Sequence, residues 1–469
     1  MHSYRYILLC FCLLACGRTL GQEGKIWTLE QCLITAVQNA PTSAQAQLET
    51  ELADWDLKTA KSRRLPNVSA SSGLGKQLGY TIDPTTNTFD NQQIGYNGIN
   101  LNAELTVFAG GSVVNNVAAQ KHQQESAQWQ FKEVENQLKL RVLAAYLSSL
   151  LGDEQVRQME LEQQSLQAQK DNIKRQIEAG TRSANERLEL EIQMAQNQQL
   201  IIQAKQQSEL ALAELRFLLV LSYDAPLQLA PWESRPTAKL MAEDWQTTQL
   251  VNYPSLQDRK AQVKAAEYRL KAARGGSMPS VTLFGSLSSN YSSVSQKVIG
   301  FESESSSEDV SFMGTQGTLI RFDESPIYAP NPYFSQLREN FGQQIGVFLS
   351  VPIFQQGRNH LNTQRTQVEL QQARVALKSE QQQLTYVAQQ ALISQETAWQ
   401  AYEAAANNVR INTQLLKNKE REYSIGACNA LDYFIVRNRS LNAQRQLLSA
   451  KYDYYYRSKV LALYQQGDI

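Results

Sequence analysis

Histidine, cysteine, proline and any excess of one charge are all scarce in this chain, and each shortage removes a class of function. Three His and five Cys in 469 residues leave little for a metal centre or a disulfide framework. Cys10, Cys12 and Cys16 crowd the N-terminus, so only Cys32 and Cys428 lie further in. With 45 basic and 45 acidic groups the net charge is +0, whereas a nucleic-acid binder carries a basic excess. Twelve Pro and 23 Gly are too few for a fibrous or low-complexity chain. Beyond the N-terminus no run reaches the roughly 18 apolar residues of a membrane helix. There is no phosphate-binding Gly-Lys-Ser/Thr loop and no Gly-x-Ser-x-Gly elbow. His122 and His360 fall in opposite halves without ligand-spaced partners. The expectation is no catalytic residue, no cofactor, no metal and no enzyme activity.

What the chain has in abundance is glutamine, 56 residues, mostly in long stretches free of Pro. Extended polar helices have that composition. At the N-terminus Arg5 precedes an apolar run from Tyr6 to Ala15, the pattern of an export signal. Cleavage after Thr19-Leu20-Gly21 would remove residues 1–21. A rival reading, Leu13-Leu14-Ala15-Cys16, makes Cys16 a lipidation site, and the two stay open. An exported chain without a membrane helix is periplasmic, secreted or an outer-membrane β-barrel.

The chain repeats itself. Asn39-Ala40-Pro41 parallels Asn252-Tyr253-Pro254, and Leu65-Pro66-Asn67-Val68-Ser69 parallels Met278-Pro279-Ser280-Val281-Thr282. Val107-Phe108-x-x-Gly111 parallels Ile353-Phe354-x-x-Gly357. Gly111 to Gly180 and Gly357 to Gly426 are each 69 residues. The halves differ mainly between Pro and Phe, where the second carries 33 more residues.

The first repeat, 22–221, is expected to hold helices at about 42–64, 111–180 and 184–221, and strands at about 67–76 and 98–108. The second, 251–466, is expected to hold helices at about 255–274, 357–426 and 430–466, and strands at about 280–289 and 343–353. Residues 222–250 connect them. A helix of 69 residues is a rod of about 100 Å. Ala145, Gly152, Met159, Leu166 and Ile173 recur every seven residues, as do Leu377, Leu384, Ala391, Ala398 and Ala405. That period predicts left-handed coiled-coil packing. The helices alone would equally suit a periplasmic adaptor or coiled-coil scaffold.

The strands favour another reading. Ile99, Leu101, Ala103, Leu105 and Val107 alternate with Asn100, Asn102, Glu104 and Thr106. Ile345, Val347, Leu349 and Val351 alternate with Gln344, Gly346, Phe348 and Ser350. Strands with one apolar face suit a membrane barrel with a wet lumen. Four strands cannot close a barrel, and an open edge cannot persist in lipid. Several chains must therefore share one barrel, and three would supply 12 strands. Residues 76–97 and the Ser-rich stretch 286–340, with Glu302, Glu304, Glu308 and Asp309, read as solvated loops.

These residues resemble the TolC-type outer membrane efflux proteins. Trp27-Thr28-Leu29-Glu30-x-Cys32, followed by Ala36, Asn39 and Pro41, looks like the opening of each family repeat. The Phe-x-x-Gly joints and the turns at Gly180 and Gly426 match as well. The resemblance implies an α+β fold assembled as a homotrimer. It would have a shared 12-stranded outer-membrane β-barrel, a long periplasmic helical barrel, and an equatorial collar including residues 222–250. It implies the passive exit duct of a tripartite efflux or type I secretion system, reaching from the outer membrane and its lipid into the periplasm. A periplasmic adaptor and an inner-membrane transporter would be its partners; cargo is not specified.

Tyr423-Ser424-Ile425-Gly426 resembles the segment before the family's second periplasmic turn. By resemblance Tyr423 and Asp432 belong to a periplasmic gate. Glu186 replaces the first-repeat Asp that ties to the gate Tyr, Cys428 replaces the gate Arg, and Ile435 replaces a second pore Asp. Fewer polar ties are therefore expected, with the Tyr423–Glu186 pair the main one left. Gly180, Thr181, Arg182, Gly426 and Ala427, at the two turns, are expected to face the adaptor.

Overall fold

The computed structural model describes residues 26–82, 89–91, 93–232, 250 and 252–466. The expected signal peptide, Cys16 and most of the expected connector lie outside the described residues. The first half runs β1 (Ile26–Trp27), α1 (Leu29–Asn39), α2 (Pro41–Ser62), β2 (Asn67–Gln77), β3 (Tyr80–Ile82), β4 (Phe89–Asn91), β5 (Ile94–Ala109), α3 (Ser112–Glu178), α4 (Ala184–Leu219) and β6 (Gln228–Leu229). The second runs α5 (Pro254–Gly275), β7 (Ser280–Ser292), β8 (Gln296–Phe312), β9 (Thr315–Pro330), α6 (Tyr333–Glu339), β10 (Gly342–Ser350), α7 (Arg358–Ser424) and α8 (Ala430–Gln466).

Local chemistry explains the boundaries. Thr28 and Gln31 form a capping box that opens α1, satisfying two orphan donors reciprocally. Pro41 and Pro254 start α2 and α5, where the missing N–H costs nothing. The helices α3 and α7 contain no Pro and run 67 residues each. The joints before them turn on left-handed residue pairs, Gly110–Gly111 and Gln356–Gly357.

The chain divides into two compact units. One comprises the chain up to Asp54, His122–Val263, and everything from Gln372; the other comprises Trp55–Lys121 and Lys264–Gln371. In the helical unit β1 pairs in parallel with β6, Trp27 against Leu229. Its largest core gathers Cys32, Ala36, Val142, Tyr146, Leu215, Leu219 and Tyr455. The Tyr146 hydroxyl donates to the Ala230 carbonyl at 2.8 Å, so the ring is buried with its polar end satisfied. The seven-residue stripe of α3 is buried at Ala145, Met159, Leu166 and Ile173. A matching row, Leu190, Asn197, Ala204, Ala211 and Leu218, is buried on α4. At Gly152 the approach is tight: a Cβ there would lie 2.8 Å from Ser208 Cβ.

The second unit holds an antiparallel sheet in the order β10-β7-β5-β2. Its registers stack like on like. Val68, Ala103, Gly285 and Ile345 share one rung, and Ser69, Asn102, Ser286 and Gln344 share the next. Because alternate residues face opposite sides, one face is apolar and the other carries amides and hydroxyls. A bulge at Val107, between Thr106 and Phe108, ends the regular alternation near the helix. Among the described residues β2 and β10 have no further strand partner, so both edges are open.

The stretch expected as a solvated loop, 286–340, is built differently. β7 continues to Ser292, and β8 and β9 form a hairpin closed by Met313 and Gly314 at φ +49° and +81°. Both left-handed residues fit the tight turn that matches strand twist. Both strands of the hairpin are exposed along almost their whole length, and their serines and acids follow no alternating apolar pattern that sequence could reveal. Short strands β3 and β4 likewise replace part of the expected loop 76–97. The short helix α6 closes the end of β7: Gln336, 1 % exposed, accepts from the Ser292 amide and donates to the Ser292 carbonyl, both at 2.9 Å.

Candidate functional site

Within the helical unit, the turns joining α3 to α4 and α7 to α8 build a polar cluster. Gly180 and Gly426 both sit at φ +75°. Beside them the Thr181 amide reaches back to the Gln176 carbonyl at 2.9 Å, and the Ala427 amide to the Glu422 carbonyl at 2.8 Å. That six-to-one bond is the helix-ending motif that favours glycine. A Cβ on either glycine would meet nothing within 4 Å, so backbone conformation, not space, selects them. Ser183 caps α4 through the Asn185 amide, and Asn429 caps α8 through the Asp432 amide at 2.8 Å.

Tyr423, at the end of α7, is the centre. Its hydroxyl donates to Glu186 Oε2 at 2.7 Å. Its ring stacks on Tyr433, with centroids 4.8 Å apart and planes at 5°. The Arg182 guanidinium lies over the Tyr423 ring at 4.3 Å. Arg182 also donates to Glu186 Oε2 at 3.3 Å and to the Tyr423 carbonyl at 3.3 Å. Tyr433 and Phe434 anchor these contacts in a small core with Leu166, Ile173 and Leu190. Burial, and then the bond to Glu186, push the Tyr423 hydroxyl well above its ordinary pKa, so it remains a donor. The Arg182 and Glu186 side chains are 22 % and 17 % exposed.

The expected Tyr423–Glu186 pair is joined, and Arg182 adds to it. The sequence groups Arg182 with the docking surface, yet its side chain turns inward and supplies three of the contacts. The repeat contains the missing signal: Arg182 follows Gly180 by two residues, as Cys428 follows Gly426. The cation thus stands at the equivalent position of the other half. Cys428 is half-buried, with Sγ 3.8 Å from the Lys419 carbonyl oxygen, and adds no polar contact to Tyr423. Asp432 and Ile435 are exposed on the first turn and a half of α8. Gly180, Thr181, Gly426 and Ala427 are exposed at the turns. Tyr433 and Phe434 escape sequence reasoning, because two aromatics after a cap read as ordinary core. Among the described residues no group of His, Cys, Asp and Glu could hold a metal ion.

Comparison with known proteins agrees with this architecture. The profile of the family described as "Outer membrane efflux protein" matches residues 33–219 and 331–465, and the chain belongs to that family. It is an outer-membrane protein and not an enzyme. The alkaline protease secretion protein AprF of Pseudomonas aeruginosa is 23 % identical over 334 residues. That match spans 69 % of this chain and 60 % of AprF. The fold is shared with CusC, at TM-score 0.76 and 16 % identity, covering 93 % of this chain and 91 % of the other. It is shared also with the outer membrane protein VceC of Vibrio cholerae, at TM-score 0.75 and 14 % identity, covering 94 % and 96 %. The Campylobacter jejuni CmeC outer membrane channel gives TM-score 0.73 and 17 % identity over 94 % and 86 %. Family membership sets aside the alternative of a periplasmic adaptor or scaffold.

Proposed function

We propose that three copies of this chain form a passive exit duct. Four strands from each would close a 12-stranded barrel in the outer membrane, and the paired long helices would continue it through the periplasm. The observation that carries this reading is the open sheet with one apolar face, one polar face and two edges without a strand partner among the described residues. In lipid those edges need partners, and identical copies supply them with closed symmetry. An adaptor docking at Gly180, Thr181, Gly426 and Ala427, and an inner-membrane transporter, would deliver cargo and energy.

The Arg182–Tyr423–Glu186 cluster serves as a latch that holds the periplasmic mouth narrow. Asp432, exposed beside it, contributes a ring of three carboxylates that binds cations at the mouth. Cys428 marks the gate position without a polar role. The relative named for alkaline protease secretion favours protein export by a type I system over small-molecule efflux alone, and cargo assays should include both. Native mass spectrometry of the full chain in detergent, with conductance in planar bilayers, tests the assembly. A monomer or dimer without conductance refutes it.

A further inference from the structure

At the end away from the helices, the apolar face of the four-stranded sheet turns polar, and α6 covers that place. Ser289 shares a rung with Ile99, and Asn97 shares the next rung of the same face with Leu74 and Tyr291. An amide there would be costly against lipid if unpaired, yet Asn97 is only 6 % exposed. Its Nδ2 donates to the Ser72 hydroxyl at 3.2 Å and the Gly73 carbonyl at 3.0 Å, and its Oδ1 accepts from the Tyr333 hydroxyl of α6 at 2.8 Å. The Tyr333 and Tyr291 ring centroids are 4.9 Å apart. The Ser289 hydroxyl donates to the Leu337 carbonyl at 2.6 Å, and the Asn340 side chain to the Asn290 carbonyl at 2.8 Å. The short helix is therefore fixed against the apolar face of the sheet, not against its polar face.

The helix has two sides. Tyr333, Gln336, Leu337 and Asn340, at helical spacing, hold the sheet. Phe334 and Arg338, four residues apart, share the outer side. Phe334 is 82 % exposed, and Phe341, just past the helix, is 50 % exposed. Both oxygens of Glu339 are taken by neutral donors, Asn331 and Ser335, at 2.8 Å each. Arg338 and Lys297 stand near that carboxylate, yet neither joins a salt bridge among the described residues. The outer side thus presents bare phenyl rings beside two cations.

The height of this place fits a bilayer boundary. From Val107, at the bulge, to Asn97 is ten residues of β5. That is about 33 Å along a strand, and about 25 Å across the membrane at a tilt of about 40°, the height of an outer-membrane apolar band. We propose that α6 is a foot resting in the head-group layer of the outer leaflet, with Phe334 and Phe341 at the acyl boundary and Arg338 and Lys297 on the phosphates of anionic lipid head groups. This rests on the duct reading, in which the apolar face meets lipid. Phenyl rings at the acyl boundary with cations at the head groups is how interfacial amphipathic helices divide their contacts. By covering Asn97 and Ser289, the foot lets the sheet leave the bilayer without presenting polar side chains to acyl chains.

Full-length trimers in phosphatidylcholine vesicles test the proposal. Phe334→Cys, made in the Cys428→Ser background, carries a fluorescent probe; Cys32 is fully buried and stays unlabelled. Nitroxides near the head-group end of the acyl chains should quench this probe more than nitroxides deep in the chains. A probe introduced by Val347→Cys, on the apolar face, should show the reverse order, and one introduced by Ser311→Cys, in the hairpin, should respond only to aqueous iodide. Nitroxide-labelled phosphatidylglycerol should quench at position 334 with a preference of about fivefold or more over labelled phosphatidylcholine, since each basic group near an anionic surface favours it by about that factor. Lys297→Gln with Arg338→Gln should bring that preference toward one without changing depth. Heat-resistant trimers on gels check assembly, and Phe341→Cys carries the same test if Phe334→Cys fails to assemble. Quenching at 334 by iodide alone places α6 in water and overturns the foot. Shielding of 334 from both quenchers means a neighbouring copy covers it and overturns the foot as well. Equal quenching by the two lipids overturns the anionic head group as the occupant. A probe at 347 that lipid nitroxides do not reach overturns the duct's lipid face, and the foot with it.

Discussion

Replacing Arg182 should open the mouth more than replacing Tyr423. Tyr423→Phe removes one hydrogen bond, yet Glu186 keeps Arg182 and the ring keeps its contacts with Tyr433 and Arg182. A hydrogen bond to a charged group is worth about 1.5–3 kcal/mol. With the Glu186 side chain 17 % exposed, the lower end applies. Arg182→Gln removes the ion pair, the contact over the ring and the bond to the Tyr423 carbonyl at once. A cation over a partly desolvated ring contributes about 0.5–2 kcal/mol. The partly buried ion pair and the backbone bond add about 1–2 kcal/mol between them. Each copy should then lose roughly 1.5–4 kcal/mol of closed-state bias, and three copies an amount comparable with or above the ~5.5 kcal/mol that turns a 1:99 population into 99:1. Both side chains bond the same Glu186 oxygen, so their effects should be non-additive, with Glu186→Gln approaching the double variant. Single-channel conductance and sensitivity of cells to large antibiotics are the readouts. If Arg182→Gln assembles as trimers and conducts like wild type, the cluster is not the latch, and packing around Phe434 and Leu190 becomes the next candidate.

Further outcomes follow from other parts of the chain. A charge at Leu101 or Val347, both on the apolar face, should cost about 2–4 kcal/mol at mid-bilayer, whereas Asn102 should tolerate it; denaturant unfolding in vesicles measures the difference. Gly152→Val should cost about 1–3 kcal/mol of thermal stability, because a Cβ there already crowds Ser208. Glu133 Oε2 is buried without a hydrogen-bond partner among the described residues, and burial first, then Glu380 and Asp258, hold its pKa above the ordinary carboxylate value. A raised carboxyl binds its proton more tightly when folded, so its contribution is present at low pH and is lost as pH rises through the folded pKa. Glu133→Gln should therefore raise stability at neutral pH and leave it unchanged at acid pH, seen as coincident melting curves only in acid.

What the sequence makes legible divides by how each element is held in place. The long helices can be read because they lack Pro and carry a seven-residue apolar stripe through their middle portions, and Leu166 and Ile173 are buried where that stripe places them. The strands of the sheet can be read for the same reason at period two, since lipid on one side and water on the other imposes alternation. The hairpin of β8 and β9 obeys neither constraint. Backbone pairing rather than an apolar face holds it, and Met313-Gly314 is its one local sign. Helix α1 reads as an opening motif and not as a helix, although Thr28 and Gln31 announce its start.

The latch shows a different limit. Tyr423 and Glu186 lie 237 residues apart, and matching this sequence to a family motif position by position finds each partner only where the family keeps it. A duplicated chain has two equivalent places for any one charge. Arg182, two residues after Gly180, reaches the Tyr423 ring from the first repeat, while the matching place after Gly426 holds Cys428. The loss at Cys428 therefore carries no information about whether the tie survives; only the pair of positions, read together, does. The same reasoning extends to the second pore acid. Ile435 stands nine residues after Gly426, and the residue nine after Gly180 is Glu189. An acid missing from one repeat is thus present at the equivalent place in the other, on the first turns of α4. If acids at the mouth can also change repeats, Glu189→Gln should weaken block by divalent cations as Asp432→Asn does, and an unchanged block would confine the exchange to Arg182.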